Sequence, residues 1–585
     1  MTKRVRMGAR RRVSVAVALS VTAAGGVSAT LVGPAVSAGP AEDCAVPFPV
    51  AEVARDQVVH GLTVERGTTP EPFSGTVLGV LEDGIAPDLD MIMAELDSPA
   101  IQKAGGIWQG MSGSPVYAED GRLLGAVAYG LSWGPSPIAG ITPFEEMDDY
   151  LTPKAAPVRV EVDDRTARML ARRTGVSVRA AGEFRQLRIP LRVSGVRAER
   201  LAQARKQRED HRWVMRRVAA SGAPASPGSG PGPDTIVAGG NLAVALSYGD
   251  ITLGGVGTAT SVCRGEVVGF GHPATFLGDT TLTLHPADAL FVQPESLGAP
   301  FKVANPGAPV GTITDDRLAG VTGTFGALPR ATTVTSDLTF VGKGRQRSGS
   351  SEVSTPQALA FVTFIQQLVN HDRVLDGITQ GSELMSWQIT GESRGTPFAL
   401  AMTDRFASRD DIAFEVPWEV ADLVWVLSRI PGITLDDVTI GAEVVDDPSK
   451  WRVVGVQQRR RGAWVDLDRS SPAVSRPGGV LRLRAVLHDR ANDVTTTVRV
   501  SVDVPQRRAF EAVLEVAGGG SVFSSIWGAR TLEAVERRLA RAVRNDAVQA
   551  SLTTFFGRRP KVSREVSEPT EKVVNGRKRV PVVLR

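Results

Sequence analysis

Short apolar runs separated by turn residues constrain the fold of this chain more than any other feature of its sequence. GTVLGVL (75–81) and DMIMAEL (90–96) are bounded by Gly, Pro and Asp, a pattern typical of antiparallel strands. The pattern returns in NLAVALSYGDITLGG (241–255) and continues to about residue 342. The sequence therefore predicts a mainly β fold with two separate β units.

The segments between and after these units differ in composition. Residues 162–218 are charged and helical in pattern, and SGAPASPGSGPGP (221–233) has the composition of a flexible linker. PQALAFVTFIQQLVNHD (356–372) predicts a buried helix, and alternating runs over 433–505 indicate an immunoglobulin-like β-sandwich. ARTLEAVERRLARAVRNDAVQASL (529–552) predicts an amphipathic helix within an α/β tail.

The first 38 residues have the parts of a secretion signal. MTKRVRMGARRR (1–12) carries six positive charges and no acid, an apolar run follows, and small residues precede Ala38. A retained membrane anchor is the alternative, but the Gly-Gly break within the apolar run favours cleavage after Ala38. We therefore expect a secreted or cell-envelope protein without a stable membrane span once the signal is removed.

Charge and residue types exclude several classes of function. Without the six basic residues of the signal, 61 Lys and Arg face 63 Asp and Glu, so the mature chain gives no argument for nucleic-acid binding. No CxxC pair, HExxH motif, acidic calcium loop or P-loop is present in the sequence, so we expect no metal and no cofactor. Cys44 and Cys263 permit one disulfide in an oxidising compartment, with two unpaired thiols as the alternative.

The stretch GMSGSP (110–115) has the features of a nucleophile turn. A catalytic serine needs a base, a site for the oxyanion and room for the substrate carbonyl. Glycines on both sides of Ser112 provide that room and leave the amides of Gly110 and Ser112 free to converge as an oxyanion hole. Two apolar strands joined by an Asp-Gly turn follow at 115–130 and would hold the loop on a rigid hairpin.

Among six histidines, His272 has the best setting for a general base. In GEVVGFGHPATFLGD (265–279) an apolar strand ends in Gly-Phe-Gly, so small neighbours leave the ring of His272 accessible. His285 is the nearest alternative. His211 and His371 lie in helical segments, where ordinary surface roles are expected.

The run GGIWQGMSGSPVYAEDGRLLGAVAYG (105–130) resembles the serine signature of the SpoIVB peptidase family, and GFGHP (269–273) resembles its histidine motif. The resemblance implies a chymotrypsin-like double β-barrel and a serine endopeptidase without cofactors, with Ser112 as nucleophile and His272 as base. It also implies a protein or peptide substrate, with regulatory or self-processing activity. In the best-known members the histidine segment precedes the serine segment, so the order here is permuted; the same site geometry arises from different chain orders.

The third catalytic residue has several candidates. Asp97 lies fifteen residues before Ser112, where the resemblance implies an aspartate that orients the histidine. An equal alternative is that Asp97 or Ser98 caps a short helix beginning at Pro99. Asp315 and Asp316 are further candidates, although an Asp-Arg pair such as the one at 316–317 is more often structural.

These patterns and the resemblance together predict seven divisions of the chain: signal peptide 1–38; serine-bearing barrel half 39–155; helical insert and linker 156–235; histidine-bearing barrel half 236–345; mixed helical region 346–432; immunoglobulin-like sandwich 433–505; and α/β tail 506–585. The alternative function is a catalytically inactive, peptidase-like scaffold or binding protein of the cell envelope. In that case GMSGSP is only a turn.

Overall fold

Strands account for 49% of the structure and helices for 17%, as expected for a mainly β protein. The computed structural model describes residues 41–132, 134–148, 159–187, 191–221, 230–295, 300–507, 509, 511–523, 525–556 and 559–585. The predicted signal peptide and most of the predicted linker lie outside these residues. No helix within the described ranges is long and apolar enough to cross a membrane.

The N-terminal part of the chain forms a closed barrel. Its elements are β1 (Val58–Thr63), β2 (Glu71–Ala86), β3 (Leu89–Asp97), α1 (Pro99–Ala104), β4 (Pro115–Ala118), β5 (Leu123–Leu131), β6 (Ile138–Pro143), α2 (Phe144–Asp148), β7 (Arg159–Glu161), α3 (Asp164–Thr174), α4 (Val178–Ala181) and β8 (Glu183–Gln186). The barrel order is β4-β1-β2-β3-β6-β5, and pairing of β4 with β5 closes it. β8 and β7 extend the sheet from β5. β5 and β6 are buried along their whole length, which explains their continuous apolar sequence.

A second closed barrel follows. The intervening and barrel elements are β9 (Arg192–Ser194), α5 (Ala198–Lys206), β10 (Ala219–Ser221), β11 (Asn241–Gly249), β12 (Leu253–Cys263), β13 (Glu266–Gly269), β14 (Gly278–His285), β15 (Ala287–Gln293), β16 (Phe301–Pro306), β17 (Gly311–Arg317), β18 (Gly320–Phe325), β19 (Thr332–Phe340) and β20 (Arg345–Val353). β11, β12, β13, β18, β17 and β14 pair in that order, and β14 returns to β11. The predicted chymotrypsin-like double barrel is therefore confirmed.

The second barrel continues into a larger sheet covered by helices. The further elements are α6 (Pro356–Leu375), β21 (Gly381–Ser393), β22 (Thr396–Ser408), α7 (Ile412–Glu415), α8 (Trp418–Ser428) and β23 (Ile433–Val445). α6 is buried over most of its length, as its continuous apolar sequence predicts. It packs with α8 in the same core as the second barrel.

The last part of the chain is a sandwich of two sheets. It contains β24 (Trp451–Arg460), β25 (Ala463–Asp466), β26 (Ala473–Ser475), β27 (Val480–Asp489), β28 (Val494–Asp503), β29 (Glu511–Gly518), α9 (Leu532–Leu539), β30 (Val548–Phe556), β31 (Arg559–Val566), β32 (Val574–Asn575) and β33 (Arg577–Leu584). One sheet is built on β24, β27 and β28, the other on β29, β30 and β33, and both contribute to one core.

The sandwich does not follow the boundaries expected from the sequence, which placed an immunoglobulin-like sandwich at 433–505 and a separate α/β tail at 506–585. β23 pairs with β19 and β21 in the large sheet, while the tail supplies most of the second sheet of the sandwich. The predicted helix over 529–552 also divides, since α9 ends at Leu539 and β30 begins at Val548. The buried residues Val548, Ala550 and Leu552 alternate with partly exposed ones. This is the two-residue period of a strand, not the 3.6-residue period of a helix.

A disulfide joins Cys44 to Cys263, 219 residues apart in the chain. Cys44 precedes the first barrel, and Cys263 ends β12 of the second. The bond therefore links the N-terminal segment to the second barrel.

Candidate functional site

Ser112 lies in the turn that enters β4, in direct contact with the second barrel. The amide of Thr258 on β12 donates to the carbonyl of Ser112 at 2.8 Å, and the Thr258 hydroxyl donates to the carbonyl of Gly110 at 3.0 Å. Gly113 has φ +96°, and a Cβ there would stand 1.8 Å from the Thr258 carbonyl oxygen. The second glycine of GMSGSP is therefore required by its left-handed backbone and by the close approach of β12.

His272 follows β13 and reaches the serine from the second barrel. Phe270 and Gly271 both have left-handed backbone, with φ of +74° and +68°, so the chain turns sharply before the histidine. His272 Nε2 lies 2.9 Å from Ser112 Oγ, within the reach that proton transfer requires. Ser112 is 0% exposed and His272 is 1% exposed, so the pair is enclosed by protein.

The main chain orients the imidazole. His272 Nδ1 lies 2.8 Å from the carbonyl oxygen of Pro273. A carbonyl oxygen only accepts hydrogen bonds, so this contact stabilises the tautomer with its proton on Nδ1, which is the one that a general base at Nε2 requires. In that tautomer Nε2 accepts the Ser112 proton once the hydroxyl no longer donates to another acceptor.

The carbonyl of Leu187 is a second acceptor for the serine. Ser112 Oγ donates to the Leu187 oxygen at 2.8 Å, and His272 Nε2 is 3.2 Å from the same oxygen. Leu187 follows β8, and its amide donates to the carbonyl of Ala128 on β5. The sequence contained no signal for this contact, because every residue type has a main-chain carbonyl.

Two amides of the serine turn, those of Gly110 and Ser112, differ from their neighbours in hydrogen bonding. The amides of Met111, Gly113 and Ser114 donate to main-chain carbonyls of Trp108, Val127 and Met111. Within the described residues, the amides of Gly110 and Ser112 have no acceptor. Amides without an acceptor are available to bind a developing oxyanion.

The structure places Asp97 outside the dyad. Asp97 is the last residue of β3, is exposed, and accepts from Gln102 Nε2 at 2.8 Å. It forms no hydrogen bond or ion pair with His272, both of which the structure describes. Ser98, the other capping candidate, caps α1 by accepting from the amide of Ile101 at 3.1 Å. β3 ends at the surface of the first barrel, and the described group that lies beside His272 Nδ1 is the Pro273 carbonyl.

Asp316, one of the further aspartate candidates, holds the loop after His272. Its carboxylate is 0% exposed and accepts from the amides of Ala274 at 2.7 Å and Thr275 at 2.8 Å. It also accepts from the Thr275 hydroxyl at 2.6 Å and the Leu277 amide at 3.2 Å. Asp315 instead pairs with Arg317 at 2.9 Å. Asp316 therefore fixes the main chain of the loop that follows His272, and we expect it to position the imidazole in that way.

We expect Asp316→Ala to destabilise the protein by about 2–4 kcal/mol, because buried amides lose a charged acceptor. The folded variant should also react more slowly at Ser112, since the His272 loop loses its anchor. Urea unfolding and the rate of fluorophosphonate labelling measure the two effects. Asp315→Ala is the matched control and should cost about 1 kcal/mol or less. Equal stability and labelling in both variants would contradict this role.

The other histidines have structural surroundings. His285 is fully buried between the carbonyl of Gly307 and the hydroxyl of Thr283, and burial lowers its pKa to about 4. It stays neutral at physiological pH and lies in β14. His371 is buried in α6 against Glu383 at 2.7 Å, so the expected surface role was wrong for this residue. His371 is buried because it lies on α6, a helix that is buried over most of its length.

No group of three or more His, Cys, Asp or Glu side chains in the described part of the chain is arranged to hold a metal ion.

Comparison with known proteins gave a family match, which covers most of the first barrel. Residues 43–142 match the family model described as SpoIVB peptidase S55. The matched region contains Ser112 and ends before His272. No curated protein and no solved structure matched the chain.

Proposed function

The chain belongs to the SpoIVB peptidase family through residues 43–142, and on this premise we propose that it is a serine endopeptidase whose nucleophile is Ser112 and whose base is His272. The observation that carries the proposal is the 2.9 Å distance between Ser112 Oγ and His272 Nε2. The two residues come from different barrels and lie 160 positions apart in the chain.

In the proposed reaction, Ser112 Oγ attacks the carbonyl carbon of a peptide bond while His272 Nε2 accepts the hydroxyl proton. The amides of Gly110 and Ser112 donate to the oxygen that becomes negatively charged. The carbon–nitrogen bond then breaks, and the imidazolium returns its proton to the leaving amine. Water hydrolyses the acyl-serine ester through the same base, which regenerates Ser112.

The enclosed dyad supports a regulated rather than a general peptidase. The Leu187 carbonyl accepts the hydroxyl proton that His272 must take, and Ser112 is inaccessible in this conformation. A substrate can reach the serine only after the segment at Leu187 has moved. We therefore propose a resting enzyme with a narrow protein substrate, which includes the chain itself.

An extracytoplasmic location is part of the proposal. The disulfide between Cys44 and Cys263 would persist outside the cytoplasm, where thiols are not kept reduced. The basic and apolar sequence of residues 1–38 supports the same location.

The burial of Ser112 also favours the second candidate, an inactive scaffold protein of the cell envelope. In that case the segment at Leu187 never leaves the serine. The amides of Gly110 and Ser112 would then have no function, although the structure leaves them without acceptors among the described residues.

Activity-based labelling distinguishes the two candidates. A fluorophosphonate probe should modify the wild-type protein at one residue, and mass spectrometry of the digested protein should locate the adduct on Ser112. Ser114 is a matched control in the same turn, since it is also buried and bonds to the hydroxyl of Thr63 at 2.9 Å. Ser114→Ala should keep the label. Absence of labelling after prolonged incubation at elevated temperature, which promotes local opening, would favour the scaffold.

A further inference from the structure

A small cavity lies beside the serine turn, and two basic residues are among those that line it. Its volume is about 60 Å³, enough for a few water-sized groups and thus for a carboxylate. Gln109, Arg192, Lys302 and residues 254–256 line it.

Lys302 is a buried amino group with a neutral hydrogen-bond partner. It is 5% exposed, and its Nζ donates to Asn241 Oδ1 at 2.8 Å. The Asn241 amide nitrogen donates to the carbonyls of Gly67 and Ala287, both at 2.9 Å, so the orientation of the side chain is fixed with its oxygen towards Lys302. Loss of hydration lowers the pKa of Lys302 to about 7, as expected for an ammonium group buried without a counter-ion.

Arg192 brings the second charge. Its guanidinium lies 5.0 Å from the centre of the Phe301 ring, and burial lowers its pKa as well. Neither Arg192 nor Lys302 forms an ion pair with any carboxylate that the structure describes. Arg200 shows the usual arrangement, since this buried guanidinium is paired with Asp372 and Asp411. Two basic side chains without an ionic partner at one cavity favour the binding of an anion there.

The cavity is coupled to the loop that carries the nucleophile. The amide of Lys302 donates to the carbonyl of Gln109 at 2.9 Å, and the Gln109 amide donates to the carbonyl of Pro300 at 2.7 Å. The Lys302 stem also packs on Gly110, where an added Cβ would stand 2.8 Å from the Lys302 Cβ. The side chain is therefore fixed directly beside a proposed oxyanion donor.

The register of β12 sets the distance from the cavity to the reacting bond. Thr258 bonds to Ser112, and the cavity residues 254–256 precede Thr258 by two to four positions on the same strand. At about 3.3 Å per residue this places the cavity about 7–13 Å from the serine along the strand. An extended peptide that runs alongside β12 advances at the same rate, so in that binding direction its side chains two to four residues from the cleaved bond would be level with the cavity.

We propose that this cavity is a specificity subsite that binds an acidic side chain of the substrate, two to four residues from the cleaved peptide bond. The inference rests on the proposed function for the identity of its ligand. Its binding chemistry depends only on Lys302 and Arg192. A carboxylate would supply the counter-ion that both cations lack.

A binding experiment tests the subsite without catalysis. Ser112→Ala protein is titrated with N-acetylglutamate α-amide and, as the neutral counterpart, N-acetylglutamine α-amide, at constant ionic strength. We expect the glutamate compound to bind at least about tenfold more tightly, and to raise the melting temperature accordingly. Adding Lys302→Met or Arg192→Gln should remove this preference. Arg330→Gln, which removes a surface cation paired with Asp436, should retain it.

Cleavage of a peptide library by the wild-type protein gives the second test. Products should be enriched in Asp or Glu at one position two to four residues from the cut, and Arg192→Gln should reduce that enrichment at least about fivefold. Equal binding of the two compounds, or cleavage without acidic enrichment, would overturn the subsite and leave the dyad standing. Glutamate-selective binding in a protein that fluorophosphonate never labels would uphold the subsite and reject the peptidase.

Discussion

Replacing Ser112 with alanine should abolish fluorophosphonate labelling and lower peptide hydrolysis by about 10⁴-fold or more. The hydroxyl is the only group in the proposed mechanism that forms a bond to the substrate carbon. His272→Ala should reduce hydrolysis by a similar factor, because a serine hydroxyl is a poor nucleophile without a base at 2.9 Å. Turnover of a peptide substrate and the rate of labelling are the measurements.

The double variant provides the internal control for this prediction. When residues act as one catalytic unit, the first substitution already removes most of the rate enhancement that they provide together. The double variant Ser112→Ala/His272→Ala should therefore be about as inactive as either single variant. Circular dichroism and the retained disulfide would show that all three proteins are folded. Undiminished labelling of His272→Ala would mean that another group accepts the proton.

Gly113→Ala should destabilise the protein by about 3 kcal/mol or more. The added Cβ would lie 1.8 Å from the carbonyl oxygen of Thr258 and 2.5 Å from the amide nitrogen of Phe270, and both atoms belong to the main chain of the second barrel. Neither can rotate away, so the serine turn must separate from β12. Urea unfolding measures the loss, and the same separation should lower labelling of the protein that remains folded.

Gly121→Ala is the matched control for backbone strain. Gly121 has φ +85°, close to that of Gly113, but a Cβ there would contact nothing within 4 Å. Its cost should be limited to about 1–2 kcal/mol of left-handed strain. If the two variants were equally stable, steric contact between the barrels would not be the reason for the glycine at 113.

The sequence was sufficient for the elements of the double barrel but not for the outer boundaries of the sandwich. Apolar runs bounded by turn residues identify strands such as β5 and β6 because burial requires that pattern. The partners of a strand could not be predicted in this way, because the alternation of apolar and polar residues in β23 fits any sheet with one buried face. In the structure β23 pairs with strands of the large sheet and not with the sandwich. Likewise, β30 occupies residues 548–556, where the sequence predicted the end of a helix.

The candidate site also combines residues that could be predicted from the sequence with contacts that could not. Ser112 and His272 were predicted because nucleophile and base chemistry requires particular residue types beside small neighbours. The carbonyls of Leu187 and Pro273 were not, because main-chain groups acquire a role only through three-dimensional position. Lys302 was missed for a related reason: nothing in its local sequence indicates that an ammonium group will be buried beside Gly110.

The disulfide between Cys44 and Cys263 gives the two barrels a covalent connection that is independent of the polypeptide between them. A proteolytic nick within the connecting region would therefore produce two fragments that remain one particle, with serine and histidine still at high effective concentration. The fragments would part on a denaturing gel only after reduction. Processing of this kind could remodel access to the enclosed serine without releasing either half of the catalytic pair.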